Sequence, residues 1–323
     1  MKKDKIVLLF NLNRHQREYE AEFDSEYTID ALENSLKDSF NIYRVEADKN
    51  FNWISNLLKI NPKLVFNVCE GFQGPARESV YAAILEQLNY NYSGPDSTNL
   101  LICHNKNLVK ELVKDYIDTP FGFCISNMEE LKKIVIPEFP VIVKLNSEGS
   151  SMGMTSKSIV YNYNELTEQV RILTEKYNRN ILIEQYIDGK DISMIYVEGI
   201  GALGPCEVNC DAVFYDYEMK TDKDCTVDIK PLIGNYKELK KIVEKIAKRL
   251  DIKGYAKIDF RVNNDKFYLI EVNSQVSFHP EGEFITCAKA DGYTFEKIVN
   301  FIVNHALKKK NKSNSKGVNK IYE

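Results

Sequence analysis

Tyr255–Asn273, YAKIDFRVNNDKFYLIEVN, holds two runs of alternating apolar residues joined by Asn263-Asn264-Asp265. Turn-forming residues between alternating runs predict a β-hairpin. In the second run the two-residue period sets Ile270 and Val272 on one face, and Glu271 and Asn273 on the other. Asp259 on the first run faces the same way, so two carboxylates and an amide gather on one ribbon. Oxygen ligands of this kind suit Mg²⁺, or Mn²⁺, which is usually shared with substrate phosphates. The ribbon therefore predicts a nucleotide, and its phosphates need a cradle of their own.

Well upstream, Pro140–Lys144 reads as a short strand ending in a cation, followed by Glu148-Gly149-Ser150-Ser151-Met152-Gly153-Met154. Small residues let the backbone close over phosphates, with amide hydrogens and serine hydroxyls donating. The stretch lacks the GK[ST] ending of a Walker loop. Alone it reads equally as a plain hairpin; the metal ribbon and Lys144 favour phosphate binding.

The chain of 323 residues is long enough for two or three lobes with buried cores. A net charge of −4 argues against a nucleic-acid binder, which would carry a basic stripe. No run of eighteen apolar residues occurs, and Met1-Lys2-Lys3-Asp4 leads straight into a strand, so neither a membrane span nor a signal peptide is expected. The seven cysteines are scattered and form no CxxC pair, as in reduced thiols of a cytoplasmic protein.

Residues 1–103 alternate strands at Ile6–Phe10, Ile42–Val45 and Leu64–Val68 with helices at 27–38, 51–60 and 77–88, which predicts a parallel sheet. A helix at 105–117 leads to strands near 121–125, 140–145, 153–160 and 181–187 and a helix at 164–177. Strands at 191–198, 201–209, 254–262 and 267–273 follow, with helices at 235–250 and 283–308. The Lys-, Asn- and Ser-rich segment after Leu307 reads as a disordered basic tail.

Phe139–Met154 (FPVIVKLNSEGSSMGM), Ile183-Glu184-Gln185-Tyr186, Phe214–Lys220 (FYDYEMK) and Glu271-Val272-Asn273 together resemble D-alanine–D-alanine ligase and its ATP-grasp relatives. The resemblance spans about Glu86 to Asn304 and is weaker before it. It implies an α/β and α+β ATP-grasp fold in four parts. These are a Rossmann-like domain over 1–103, a central lobe over 104–187, a C-terminal lobe with the metal site over 188–307, and a flexible tail over 308–323. It also implies roles. Asp259 holds one magnesium, Glu271 bridges two, and Asn273 completes the second. Lys106, Lys144, Glu148, Ser150, Ser151 and, from a loop, Lys220 attend the phosphates. Glu184 meets the adenine amino group, Tyr186 and Ile187 supply contacts beside it, and Asp191 takes the ribose. Lys220, Lys257 and Ser150 are the expected catalytic groups, Lys257 standing where the family has an arginine that stabilises an oxyanion. Lysine keeps that charge and loses the planar fork.

The substrate regions depart from the family. Asn11–Glu18 lacks its Gly-Gly turn, and Glu26 is a candidate for the missing ammonium-binding glutamate, or simply a favourable helix-dipole charge. Arg77 reads equally as a grip for a carboxylate and as a surface helix arginine. The serine that holds the acceptor's carboxylate in the family falls on Gly282, between Glu281 and Glu283, and Thr221 replaces a tyrosine. An anionic acceptor there would be repelled unless both glutamates merely cap a helix and face solvent.

The leading expectation is an ATP-dependent ligase that joins a small carboxylate to an unusual amine through an acyl phosphate, acting as a cytoplasmic homodimer. A D-alanine–D-alanine ligase of wall-precursor synthesis is the alternative. A phosphotransferase and a non-catalytic sensor stand behind these, and an intact metal set argues against the sensor.

Overall fold

The structure, a computed structural model, describes residues 3–15, 17–209 and 227–314, with side chains as far as Lys309. Strands β1 (Lys5–Phe10), β2 (Asn41–Glu46) and β3 (Leu64–Val68) form a parallel sheet in the order β2-β1-β3. Alternation along β1 sends Ile6, Leu8 and Phe10 into one hydrophobic cluster and Val7 and Leu9 into another. Helices therefore cover both faces, as the continuous apolar run requires. Helix α1 (Glu26–Leu36), capped by the Ser25 side chain, packs on the first cluster; α2 (Trp53–Ile60) and α3 (Arg77–Gln87) pack on the second.

Helices α4 (Ser97–Cys103) and α5 (Lys106–Val113) lead into a four-stranded antiparallel sheet. Its strands are β4 (Gly122–Ile125), β5 (Val141–Leu145), β6 (Ile159–Val160) and β7 (Ile181–Gln185), in the order β4-β7-β5-β6. The short α6 (Met128–Leu131) and the longer α7 (Tyr163–Tyr177) back it, burying Leu166, Val170 and Leu173 against Val141, Val143, Ile181 and Ile183. The opposite face carries Ile142, Lys144 and Glu184, where Ile142 is the direct cross-strand partner of Glu184.

A second antiparallel sheet has the order β10-β9-β8-β11-β12. It comprises β8 (Lys190–Val197), β9 (Gly201–Asn209), β10 (Asp228–Pro231), β11 (Tyr255–Asn263) and β12 (Lys266–Asn273). Helix α8 (Lys237–Arg249) lays Leu239, Val243, Ile246 and Ala247 on it at helical spacing. Helices α9 (Glu283–Ala290) and α10 (Phe295–Asn314) join the cluster that contains Ile6 and Leu8, so one core ties β1 to the C-terminal helices.

Four expectations are corrected. The strand expected over 153–160 is a 3-10 turn at Ser156–Ser158 and a two-residue strand, because Thr155 and Ser158 cap each other reciprocally. The helix expected over 283–308 breaks at Asp291-Gly292, where Gly292 has φ +83°, and Thr294 caps the new start. The second piece runs to Asn314, past the expected start of the tail. The face of the metal ribbon also differs: Asp259 pairs with Glu271 but Phe260 pairs with Leu269, so a β-bulge leaves Ile270 unpaired. Ile270 consequently turns to the same side as Glu271 and Asn273, while Leu269 and Val272 enter the core.

Candidate functional site

A cavity of about 490 Å³ lies between the two antiparallel sheets, and Ala21–Phe23 and Glu70 from the parallel-sheet region close one end. Its C-terminal wall is built from register. Ser193 on β8, Asp259 on β11 and Glu271 on β12 stand opposite one another across three strands. One row away Asp191 faces Arg261, and Lys257 faces Asn273. The Asn273 amide nitrogen donates to Asp259 Oδ2 and Glu271 Oε1, both at 2.9 Å, holding the two carboxylates together. Burial pushes the Asp259 carboxyl up despite Lys257. Burial also acts to raise Glu271, but Lys106 and Lys144 outweigh it and hold that carboxyl below the usual range. Two carboxylates and an amide side chain gathered beside a cavity are the kind of group that holds a hard divalent cation.

Lys106 Nζ stands 3.2 Å from Glu271 Oε2 and also donates to the Glu148 carbonyl. Lys144 meets Glu184 Oε1 at 2.5 Å, and Lys110 caps the other Glu184 oxygen. Glu184 is 2% exposed. Burial acts to raise its carboxyl, and the two ammonium groups outweigh that and hold it low. Burial brings the Lys110 ammonium down to about 8, with Glu184 opposing. Lys144 and Glu184, expected at the phosphates and the base respectively, are thus paired with each other, and a nucleotide seated between them has to open that pair. Asp191 is gripped through both oxygens by Arg261 Nη1 at 2.6 Å. Arg261 also donates to the Ile187 carbonyl at 3.0 Å and the Tyr186 hydroxyl at 3.2 Å. Ser150 and Ser151 line the cavity with φ of 47° and 56°, the left-handed backbone that lets this loop fold over its own amides. The Glu148 carboxylate is committed to Arg179 at 3.1 Å and Arg77 at 3.3 Å. Its side chain anchors the loop, and its carbonyl holds Lys106.

Lys257 bridges Asp259 Oδ2, at 2.9 Å, and Glu283. Glu283 lies in the first turn of α9 and turns inward, where Ser193 Oγ reaches both Asp259, at 2.6 Å, and Glu283, at 3.3 Å. Gly282 is the N-cap of α9 and lines the cavity. A Cβ there would stand 3.2 Å from the His279 carbonyl oxygen, tighter than a serine accepts without a shift.

Three expected substrate residues lie elsewhere. Glu26 is exposed on α1 and pairs with Arg44 at 3.5 Å, because the helix start points it to solvent. Arg77 is neither a surface residue nor a free grip. It is 6% exposed, donates to the Glu70 carbonyl at 2.7 Å, and sits among Glu22, Glu70, Glu78 and Glu148. Glu22, Glu70 and Glu78 bring ligand atoms within 4.8 Å of one another, and Arg77 supplies the positive charge that grouping requires. Glu281 is exposed and outside the cavity, so the acidic pair splits, one member out and one in. Arg14 and Arg17 line a separate recess of about 650 Å³ near the ends of β1 and β2. Lys220 and Thr221 lie outside the described residues.

Sequence reading missed Lys110, Ser193, Arg261, Glu22 and Gln275. Two left a signal: Lys110 is one helical turn beyond Lys106, and Arg261 continues the two-residue period of Lys257 and Asp259. Ser193, Glu22 and Gln275 reach the cavity only through tertiary packing.

Two antiparallel sheets facing each other across a cavity lined with lysines and metal-type oxygens define an ATP-grasp ligase, an ADP-forming class of enzyme that makes amide-type bonds. The family profile described as D-ala D-ala ligase C-terminus matches residues 125–304. The chain is 30% identical over 234 residues to D-alanine–D-alanine ligase A of Bacillus cereus, covering 70% of this chain and 75% of that one. It is 28% identical over 304 residues to the D-alanine–D-alanine ligase of Aquifex aeolicus, covering 93% and 99%. The crystal structure of the Bacillus anthracis D-alanine–D-alanine ligase complexed with ATP superposes with a TM-score of 0.76 at 20% identity, over 97% of this chain and 100% of that one. The chain belongs to the D-alanine–D-alanine ligase family.

Proposed function

We propose that the protein uses ATP and magnesium to activate a small carboxylate as its acyl phosphate and passes the acyl group to an amine other than a simple D-amino acid. The observation that carries this reading is the Asp259–Glu271–Asn273 oxygen set, placed across a cavity from Lys106, Lys144 and the Ser150-Ser151 loop. A carboxylate is a poor electrophile because oxide does not leave, whereas phosphate does. Bound magnesium would neutralise charge on the transferring phosphoryl group. The residues of the chain do the positioning. Asp259, Glu271 and Asn273 would hold the metal, while Lys106 and Lys144 supply fixed positive charge at the phosphates. Ser150 and Ser151 would donate from the loop, and Glu148, tied to Arg77 and Arg179, keeps that loop in place. Glu184, Tyr186, Ile187 and Asp191 would border the nucleoside, with Arg261 fixing Asp191. Lys257 would face the oxyanion formed during amine attack, and Lys220 would reach the terminal phosphate. Residues 1–103, 104–187 and 188–307 serve as the working units of this scheme.

A homodimer in the cytoplasm is the setting carried over from the family. Among the described residues no helix is long and apolar enough to cross a membrane. The names of the relatives favour a second reading, D-alanine–D-alanine ligation itself. A screen of paired carboxylic and amino compounds, scored by ADP release and product mass, tests the proposal. An amide product from an amine other than D-alanine supports it. Phosphate release stimulated by D-alanine alone, yielding the dipeptide, selects the second reading, and a phosphorylated product without amine consumption overturns both.

A further inference from the structure

The cavity carries two features that the scheme above leaves unused. One is a filled anion position. The N-terminus of α9 presents backbone N–H groups and a favourable dipole end, and its N-cap, Gly282, has no side chain to use them. The first-turn residue Glu283 bends into the cavity instead and takes Lys257 and Ser193 as partners. The protein's own carboxylate therefore occupies the ground, and the cation, that a ligand carboxylate would need. A second carboxylate brought there would meet Glu283, with Asp259 and Glu271 close behind.

The other feature is an orphaned amide. Gln275 lines the same cavity, is 7% exposed, and has no hydrogen-bond partner at Oε1 or Nε2 among the described residues. A buried amide without partners loses its hydration at both atoms with nothing in return, so it needs a partner that is both donor and acceptor. A carboxamide is such a partner; a carboxylate only accepts.

We infer that the acceptor is an amine bearing a carboxamide where an amino acid bears its carboxylate, as in an amino-acid amide or the first residue of a peptide. The inference rests on the ligase reading and names its acceptor class. Glu283 excludes the anion, and the Gln275 amide pairs with the carboxamide. Both are specificity-determining residues.

The test uses the full-length protein with ATP and magnesium, D-alanine as donor, and racemic alanine or racemic alaninamide as acceptor. Like-charge juxtaposition costs several kcal/mol, so kcat/KM for alaninamide exceeds that for alanine by on the order of a hundredfold. Glu283→Ser narrows that ratio at least about tenfold by admitting alanine, and Gln275→Leu narrows it by weakening alaninamide. Equal use of the two acceptors, or a preference for alanine, overturns the inference, as does an unchanged ratio in both variants. A thermal-shift series covers the case in which D-alanine is not the donor. With the non-hydrolysable ATP analogue and magnesium present, alaninamide raises the melting temperature and alanine does not. Identical shifts again overturn the inference. A protein that the nucleotide and magnesium themselves fail to stabilise overturns the ligase reading instead.

Discussion

The two ends of this cavity solve the same problem in opposite ways. At the end proposed for the nucleotide, buried charges are arranged in compensated groups: Glu184 between Lys110 and Lys144, and Asp191 locked to Arg261. Each group forms across neighbouring strands or from one helix, and Lys144, Glu184 and Asp191 among its residues match the family motifs. At the end proposed for the acceptor one lysine serves two carboxylates, Asp259 and Glu283, and the Gln275 amide on the same cavity has no partner among the described residues. The same scaffold thus holds one end in a compensated state and leaves the other with unmet polar demand. Unmet demand beside a cavity is where a substrate's own groups decide affinity.

The most severe way to break this contrast is Glu271→Ala. It removes the carboxylate shared by the metal set and Lys106, and ADP release should fall roughly a thousandfold or more while urea unfolding stays cooperative. Near-normal turnover would dissolve the assignment of the oxygen set. Glu184→Gln probes the compensated end. Two buried ammonium groups lose their common counter-charge, and stability should drop by about 3–5 kcal/mol in urea titrations. A loss under 1 kcal/mol would show that water, not Glu184, balances those lysines.

Asp24, beside the cavity-lining Phe23, sharpens the contrast through pH. Burial raises its carboxyl from the usual 3.8 to about 8, so between those values the folded chain binds the proton more tightly than the unfolded chain. The stability attached to this group is full below about pH 4 and disappears as pH rises through about 8. Asp24→Asn should flatten that slope by up to a few kcal/mol, read from melting curves at pH 5 and pH 8. A parallel slope in the variant would assign the pH dependence elsewhere. The smallest effect belongs to Glu281→Ala. Its exposed side chain lies outside the cavity, and stability should change by less than about 0.5 kcal/mol with ADP release unaltered. A change like that of the Glu283 variant would mean that both glutamates face the acceptor.

The alternating apolar runs placed most of the strands and helices, because period two and period 3.6 are local properties of the chain. They failed where one residue changes the geometry. The bulge at Asp259/Phe260 reverses the face of Ile270, and no sequence period announces an extra residue on one strand of a pair. The Asp291-Gly292 break and the Thr155–Ser158 cap are also local, and are visible only once their side-chain partners are known. In the cavity, Lys144, Glu184, Asp259 and Glu271 were legible from motif order, and Lys110 and Arg261 from spacing. Arg77 was not. Its surroundings come from Glu22, Glu70 and Glu148, segments far apart in the chain, and their carboxylates turn an apparent surface arginine into a buried counter-ion.

By itself the sequence determined the alternation of strands and helices, the Gly/Ser loop after β5 and the gathering of two carboxylates and an amide on one ribbon, because each depends on neighbours along the chain. Tertiary structure alone decided that Glu283 turns inward while Glu281 turns out, that Gln275 is buried without a partner among the described residues, and that Lys144 rests on Glu184. Those outcomes depend on which strands lie side by side and what the fold leaves for each polar atom to meet, and no local pattern encodes that.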